Sequence, residues 1–357
     1  MRIRSDLLSM LGIEHPLILA PMGGGPGSPE LVAAVSNAGG LGMLGAAYLS
    51  PPQIAAQIGR IRALTDRPFG VNLFAGGYRI ENDVDPAAML TLLADIHAML
   101  GASPPALPKL PPDPFPAQLD AVIDAQVPVF SFTFGIPDNA TMARLKARGV
   151  VILGTATTAH EARLLADAGV DGIVTQGAEA GAHRGTFAES FEASMVPTLD
   201  LVRAAIRTVA LPVIASGGLM DGRDIATAMR LGAAATQLGT AFLACPESGA
   251  SAAYKRAILA AREDTTVITR AYSGRPARGL ANTFIARLRG RESTILPYPL
   301  QNALTRAMRT AAAERGETGY LSLWAGQGVA RARALPAGVL VKHLVEETSE
   351  AQRSVSA

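Results

Sequence analysis

The feature that most constrains the fold is a series of short apolar runs at regular intervals. Residues 17–22 (LILAPM), 41–47 (LGMLGAA), 69–74 (FGVNLF), 128–135 (PVFSFTFG), 150–156 (VVILGTA), 172–177 (GIVTQG), 211–218 (LPVIASGG) and 235–242 (ATQLGTAF) are apolar at consecutive positions rather than alternate ones. A strand with one wet face alternates in polarity, whereas a parallel strand buried on both faces does not. Between most runs lie segments with apolar residues at three- and four-residue steps: 29–38, 51–64, 139–148, 159–168, 197–209 and 222–231. That spacing predicts helices. Thr158 with Glu161 three residues on reads as a capping box, and Gly169 marks the end of that helix. Asp221 and Gly232 bracket the helix at 222–231 in the same way. Eight buried strands with helices between them predict a TIM-type (β/α)8 barrel, with a doubly wound open sheet as the alternative.

Two stretches break the rhythm. Residues 75–126 hold a helix-like piece at 86–100, then seven prolines from Pro104 to Pro116. Residues 243–318 are mostly helical in pattern. The expected division is a first part of the barrel at 1–74, a Pro-rich insertion joining the cap at 75–126, and the second part of the barrel at 127–242. A helical cap at 243–320, a return segment at 321–346 packing on the barrel, and a frayed tail at 347–357 complete it.

Composition narrows the function classes. The chain has 357 residues, 49% hydrophobic and 17% charged, which excludes a disordered polymer. Its 32 Lys and Arg balance 30 Asp and Glu for a net charge of +2, without a long basic stripe, so a nucleic-acid partner is not expected. The first ten residues carry Arg2, Arg4 and Asp6 and lack the apolar core of a signal peptide. The pattern holds no membrane span. The single cysteine, Cys245, permits no intrachain disulfide and fits a cytoplasmic address. It reads as a small buried residue rather than a nucleophile. Five scattered histidines without HExxH spacing give no expectation of a metal site.

Three glycine-bearing strand ends are candidate ligand loops. The segment after the sixth run, TQGAEAGAHRG at 175–185, holds three glycines, Gly177, Gly181 and Gly185, and one histidine, His183. Barrel sites form at the C-terminal ends of strands, and an imidazole there can move protons near neutral pH. The plain alternative is a turn with an exposed histidine. ASGG at 215–218 and QLGT at 237–240 follow the two strands whose loops commonly form a phosphate site in barrels, with ordinary tight turns as the alternative. APMGGG at 20–25 reads either as a place where a flat ring approaches backbone, with Met22 as a soft contact, or as a strand end that needs positive φ. The arginines between Arg256 and Arg291 read as a solvated face, with attraction of an anionic substrate as the alternative.

Taken in order, the motifs HPLILAPMGGG, PFGVNLF, FSFTFG, GTATTAHEA, GAEAGAHRGTF, ASGGLMDGRDIA, QLGTAF, LPYPLQN and LWAGQG resemble the class I nitronate monooxygenases, formerly called 2-nitropropane dioxygenases. The resemblance runs from about residue 12 to residue 344. It implies a barrel carrying non-covalent FMN, with a second domain over the flavin. Carried over residue by residue, it implies flavin contacts from Met22, Asn72, Gln176, Gly181, Gly218, Gln237, Leu238, Gly239 and Thr240. His183 matches the family's active-site histidine, and Tyr254 and Tyr298 fall where they can line the substrate pocket. One departure stands out: the family usually reads GGHRG where this chain has Gly181-Ala182-His183-Arg184-Gly185. The implied substrates are O2 and a small anionic nitronate such as propionate 3-nitronate, and the implied products are nitrite and a carbonyl compound. The implied route is one-electron transfer from nitronate to FMN. An FMN-dependent enoyl-acyl-carrier-protein reductase and an NAD(P)H:quinone reductase on the same barrel are the competing readings. Monomer and homodimer are both compatible with the sequence.

Overall fold

The computed structural model describes residues 2–78 and 85–354, with side chains from Leu7 onward. Part of the expected insertion, residues 79–84, and the last three residues of the expected tail lie outside the described residues. Each apolar run contains one strand. They are β1 (Leu17–Leu19), β2 (Gly42–Gly45), β3 (Phe69–Phe74), β4 (Val129–Thr133), β5 (Val151–Ala156), β6 (Gly172–Gln176), then after the short β7 (Ala182–His183), β8 (Val213–Ser216) and β9 (Ala235–Leu238). Later come β10 (Thr266–Thr269) and β11 (Ala277–Leu280).

The eight long-range strands pair in parallel in the order β1-β9-β8-β6-β5-β4-β3-β2. A parallel bridge between Ile18 and Leu41 joins the two ends, so the sheet closes into a barrel. The helices that cross between strands are Pro29–Asn37, Pro51–Leu64, Phe115–Asp124, Asn139–Ala147, Ala159–Asp167, Thr198–Thr208 and Gly222–Arg230, with Ala337–Arg353 after the cap. Ser28, Asp138, Thr158 and Asp221 each accept a hydrogen bond from a backbone N–H of the first turn, fixing where four of these helices begin. Helix Phe115–Asp124 was hidden in the sequence by its prolines. Pro114 and Pro116 sit at its very start, where the missing N–H costs nothing.

The N-terminal helix Arg2–Leu11 plugs one end of the barrel. Its Leu7 and Leu11 join Ile18, Met43, Val129, Leu153, Val174 and Ile214 in a buried cluster. A larger cluster fills the space between strands and outer helices. A third unites Met89, Leu93 and Ile96 of helix Ala87–Met99 with Tyr254, Tyr272, Phe284 and Met308, so the insertion and the segment after β9 share one core.

The cap is mostly helical, as expected, and it also holds an antiparallel sheet of β10, β11 and β7. Its third strand comes from the loop after β6, a long-range pairing that no local pattern reveals. The tail expected to fray at 347–357 is helical through Arg353, with Leu340, Val341, Leu344 and Thr348 buried against the barrel's outer helices. Among the described residues no helix is long and apolar enough to cross a membrane.

Candidate active site

The C-terminal ends of the barrel strands open into one cavity of about 900 Å³, roofed by the cap. Met22, Asn72, Gln176, Gly181, Gly218, Gln237, Leu238, Gly239 and Thr240 all line it, as do His183 and Tyr254. Apart from Tyr254, which belongs to a cap helix, they come from five different strand ends, which is why only the closed barrel brings them together. Tyr298 is set behind this lining, its ring 6.0 Å from that of His183.

Glycine is required at two of these positions by space. A Cβ on Gly218 would sit 2.8 Å from the Glu179 Cβ, and φ is +69° there. A Cβ on Gly181 would lie 2.6 Å from the Ala325 carbonyl carbon. Both put bare backbone at the cavity wall.

The loop that carries His183 is fastened at several points. Gln176 at the end of β6 donates from Nε2 to the His183 carbonyl (3.0 Å) and accepts from the Gly185 N–H at Oε1 (2.8 Å). Its amide therefore holds the histidine loop as well as facing the cavity. Arg184 turns inward and donates to the carbonyls of Gln176 and Gly177 and to Ser194. Glu161 lies fully buried beneath the loop. Its Oε1 accepts from Thr186 Oγ1 (2.8 Å), Phe187 N (2.6 Å) and Ala188 N (3.0 Å), and its Oε2 from Thr157 N and Oγ1, both at 2.6 Å. Burial pushes this carboxyl up, but the donors outweigh burial and hold it below the ordinary carboxylate value. Only half of the expected capping box forms: Thr158 caps the Glu161 N–H, while the Glu161 side chain serves the loop instead.

His183 itself is a strand residue of the cap. Its backbone pairs with Ala277 of β11, and its Nε2 lies 2.8 Å from Ser273 Oγ in the β10–β11 hairpin loop. Around the imidazole stand Phe74, Phe134, Tyr298 and Trp324, with ring centroids 5.7 to 6.5 Å away. Burial, followed by the positive fields of Arg275 and Arg309, pushes the His183 pKa down to about 3, so the ring is neutral around pH 7. Ala182 before it adopts φ +63°, in the left-handed region. The methyl group that departs from the family pattern is thus accommodated in the backbone conformation that disfavours it.

Several contributors carried no mark in the sequence. Ser273 and Arg275 belong to a turn, SGRP, whose only visible signal is its turn composition. Arg275 is no solvated surface residue. Its guanidinium stacks 3.8 Å over the Phe134 ring and donates to the carbonyl of Thr186. Arg278 is buried and donates to the Ala178 carbonyl. Arg309, also deep in the cap, donates to the carbonyls of Thr305 and Asn302 and to the Asn302 amide oxygen. Tyr48 Oη is buried beside Tyr298 and has no hydrogen bond of good geometry among the described residues. Tyr254 donates to the Trp324 carbonyl (2.5 Å), so its hydroxyl serves the cap and its ring the cavity wall. Cys245 is buried, and burial, then the nearby Glu247, raise its thiol to about 12, which leaves it an inert packing residue.

Known proteins resemble this chain in sequence and fold. The family model for nitronate monooxygenase matches residues 4–347. A relative from Staphylococcus saprophyticus, named probable nitronate monooxygenase, is 38% identical over 352 residues, covering 98% of this chain and 99% of its own. One of the same name from Staphylococcus aureus (strain Newman) is 40% identical over 348 residues, covering 97% and 98%. Among solved structures, nitroalkane oxidase from Streptomyces ansochromogenes superposes with a TM-score of 0.90 at 41% identity, over 98% of this chain and 99% of that one. FabK from Thermotoga maritima superposes with a TM-score of 0.77 at 29% identity, over 98% of both chains. A closed eight-stranded barrel, a cap that delivers a neutral histidine to the strand ends, and a full-length match in sequence make one conclusion plain: this chain belongs to the nitronate monooxygenase family, a family of oxidoreductases.

Proposed function

We propose that the protein oxidises alkyl nitronates with O2 to a carbonyl compound and nitrite, propionate 3-nitronate being the expected substrate, and that it does so with non-covalent FMN. The observation that carries this reading is His183: a neutral imidazole, ringed by aromatic side chains, at the wall of a cavity formed by the barrel's strand ends.

The residues present fit an FMN. A cavity of about 900 Å³ lies at the large end of the range for small-molecule sites, with room for a cofactor and a small substrate together. Gly218 and the Gln237–Thr240 turn put bare backbone where a phosphate would be held, and a side chain at Gly218 would collide with Glu179. Asn72, fixed by donating to Ser131 Oγ (2.8 Å), and Gln176 offer amide groups to the ring system or its polyol chain. Met22 and the glycines after it supply a flat wall. FMN, when bound, supplies the electron acceptor for the oxidation.

The chain's own residues do the rest. Neutral His183 accepts the α-proton of a nitroalkane; a protonated imidazole holding a nitronate is the less favoured role, given the low pKa of the substrate-free site. Among the described residues, Arg275 and Arg309 donate to carbonyl and amide oxygens and not to carboxylates. Their charge, with the buried Tyr48 hydroxyl, suits an anionic substrate. Phe74, Phe134, Tyr298 and Trp324 exclude water from the histidine.

The deciding experiment records the visible spectrum of the purified protein on anaerobic mixing with propionate 3-nitronate and, separately, with NADPH. Flavin absorbance that changes with nitronate and ignores NADPH is the expected result. Bleaching by NADPH with no response to nitronate would transfer the reading to a reductase, in line with the likeness to FabK. A colourless protein that FMN does not reconstitute would remove the cofactor.

A further inference from the structure

We infer that Ser273, on the hairpin loop of the cap, is a positioning residue that fixes His183 as the Nε2–H tautomer and so leaves Nδ1 as the nitrogen that takes the substrate's proton. This rests on the reading of His183 as a base. The argument is a count of donors and acceptors at one oxygen. Among the described residues Ser273 Oγ has three hydrogen-bond neighbours: the Arg275 carbonyl at 3.1 Å, the Arg275 N–H at 3.3 Å and His183 Nε2 at 2.8 Å. A hydroxyl has one hydrogen and two lone pairs. The carbonyl cannot donate, so it takes the hydroxyl hydrogen. The Arg275 N–H occupies one lone pair. The remaining lone pair faces His183, whose Nε2 must then carry the hydrogen. The reverse assignment, with serine donating to Nε2, strips the Arg275 carbonyl of this partner and satisfies one contact fewer.

The other ring nitrogen completes the case. Nδ1 has no hydrogen-bond partner among the described residues, it is not one of the buried unpartnered atoms, and His183 lines the cavity. A neutral imidazole offers a base on one nitrogen only, and the bond made by the other nitrogen chooses which. With Nε2–H held by Ser273, the α-proton moves to Nδ1. The C–H electron pair stays on carbon and delocalises into the nitro group, and the ring becomes an imidazolium. With the opposite tautomer the cavity would meet an N–H donor, which cannot deprotonate anything. Ser273 is buried and lies in a loop wedged under residues 296–298, where a Cβ on Gly274 would fall 2.3 Å from the Leu296 carbonyl oxygen. The acceptor is therefore rigidly placed.

Two measurements on the holoprotein test this. The first is histidine side-chain ¹⁵N NMR of the wild type, with His183 assigned by loss of its signals in His183→Asn. Protonation at Nε2 supports the inference, and protonation at Nδ1 overturns it. The second compares neutral nitroethane with pre-formed ethyl nitronate as substrates of Ser273→Ala and Ser273→Thr. A fall in nitroethane kcat/KM of about tenfold or more in the alanine variant, with nitronate turnover kept and with the threonine variant closer to wild type, is expected. Equal losses on both substrates would overturn it, as would no loss. Should Ser273→Ala not fold, the wild-type spectrum still decides. Failure of the wild type to turn over any nitronate would count against the proposed function instead, and leaves the tautomer readable.

Discussion

Ala277 and His183 face each other across an antiparallel ladder, so the histidine at the mouth of the barrel is held by the sheet of the cap. The residue is a barrel loop residue by sequence and a cap residue by hydrogen bonding. Its side chain follows the same allegiance, through Ser273.

The first prediction concerns the histidine directly. His183→Asn should retain flavin, because the imidazole contributes one side chain among many at the cavity wall. Its turnover of neutral nitroalkane should fall by about 10²–10⁴-fold, the usual worth of a positioned acid–base group. Steady-state kinetics on nitroethane check this, and unchanged rates would sink the base assignment.

Acid should weaken the fold through the same residue. The ordinary histidine value is 6.5, and in the folded protein His183 is pushed down to about 3. Above pH 6.5 both states hold the ring neutral. Between 6.5 and about 3 the unfolded chain takes up a proton that the folded chain refuses, so stability falls as pH falls through that window. Urea midpoints of His183→Asn should therefore decline less than those of the wild type between pH 7 and pH 4.5. Parallel curves would show that the ring is not desolvated in solution.

Glu161 is predicted to be costly to neutralise. All five groups it meets are donors. Glu161→Gln turns one oxygen into an NH2 group that points at donors, at a cost of about 2–4 kcal/mol. Because the folded carboxyl lies below its ordinary value of 4.5, its stabilisation is present above that pH and is lost as pH falls through the lower folded value. A denaturation midpoint within error of wild type at pH 7 would refute the role assigned to this carboxylate.

Ala182 offers a gain. At φ +63° the alanine methyl is strained, and Ala182→Gly should stabilise the protein by up to ~1 kcal/mol after the entropy of the unfolded glycine is set against it. Ala182→Val should destabilise it, since a β-branched residue tolerates this conformation least. Thermal melts of the pair give the order, and a lower melting temperature for the glycine variant would contradict it.

The legible parts of this molecule are those whose cause is local. Parallel strands buried on both faces must be apolar throughout, so β1 to β6, β8 and β9 were visible as continuous runs. Glycines at strand ends such as Gly218 were visible because sterics demand them. What could not be read depends on residues far apart in sequence. Ser273 meets His183 ninety positions away, and only the folding of the hairpin over the barrel brings them together. Glu161 looked like a cap because its spacing to Thr158 is that of a cap, yet its side chain answers to residues 186–188. β7 is two residues long and acquires its identity wholly from β11.

Helix Ala337–Arg353 completes the ring of outer helices by packing between Pro29–Asn37 and Gly222–Arg230. It also leaves the ribosome after every residue of the cap. Until it emerges, a nascent chain carries eight barrel strands whose first and last helices have unclosed flanks. The roof over the cavity is thus synthesised before the walls beneath it can be finished, and chain elongation itself imposes that order.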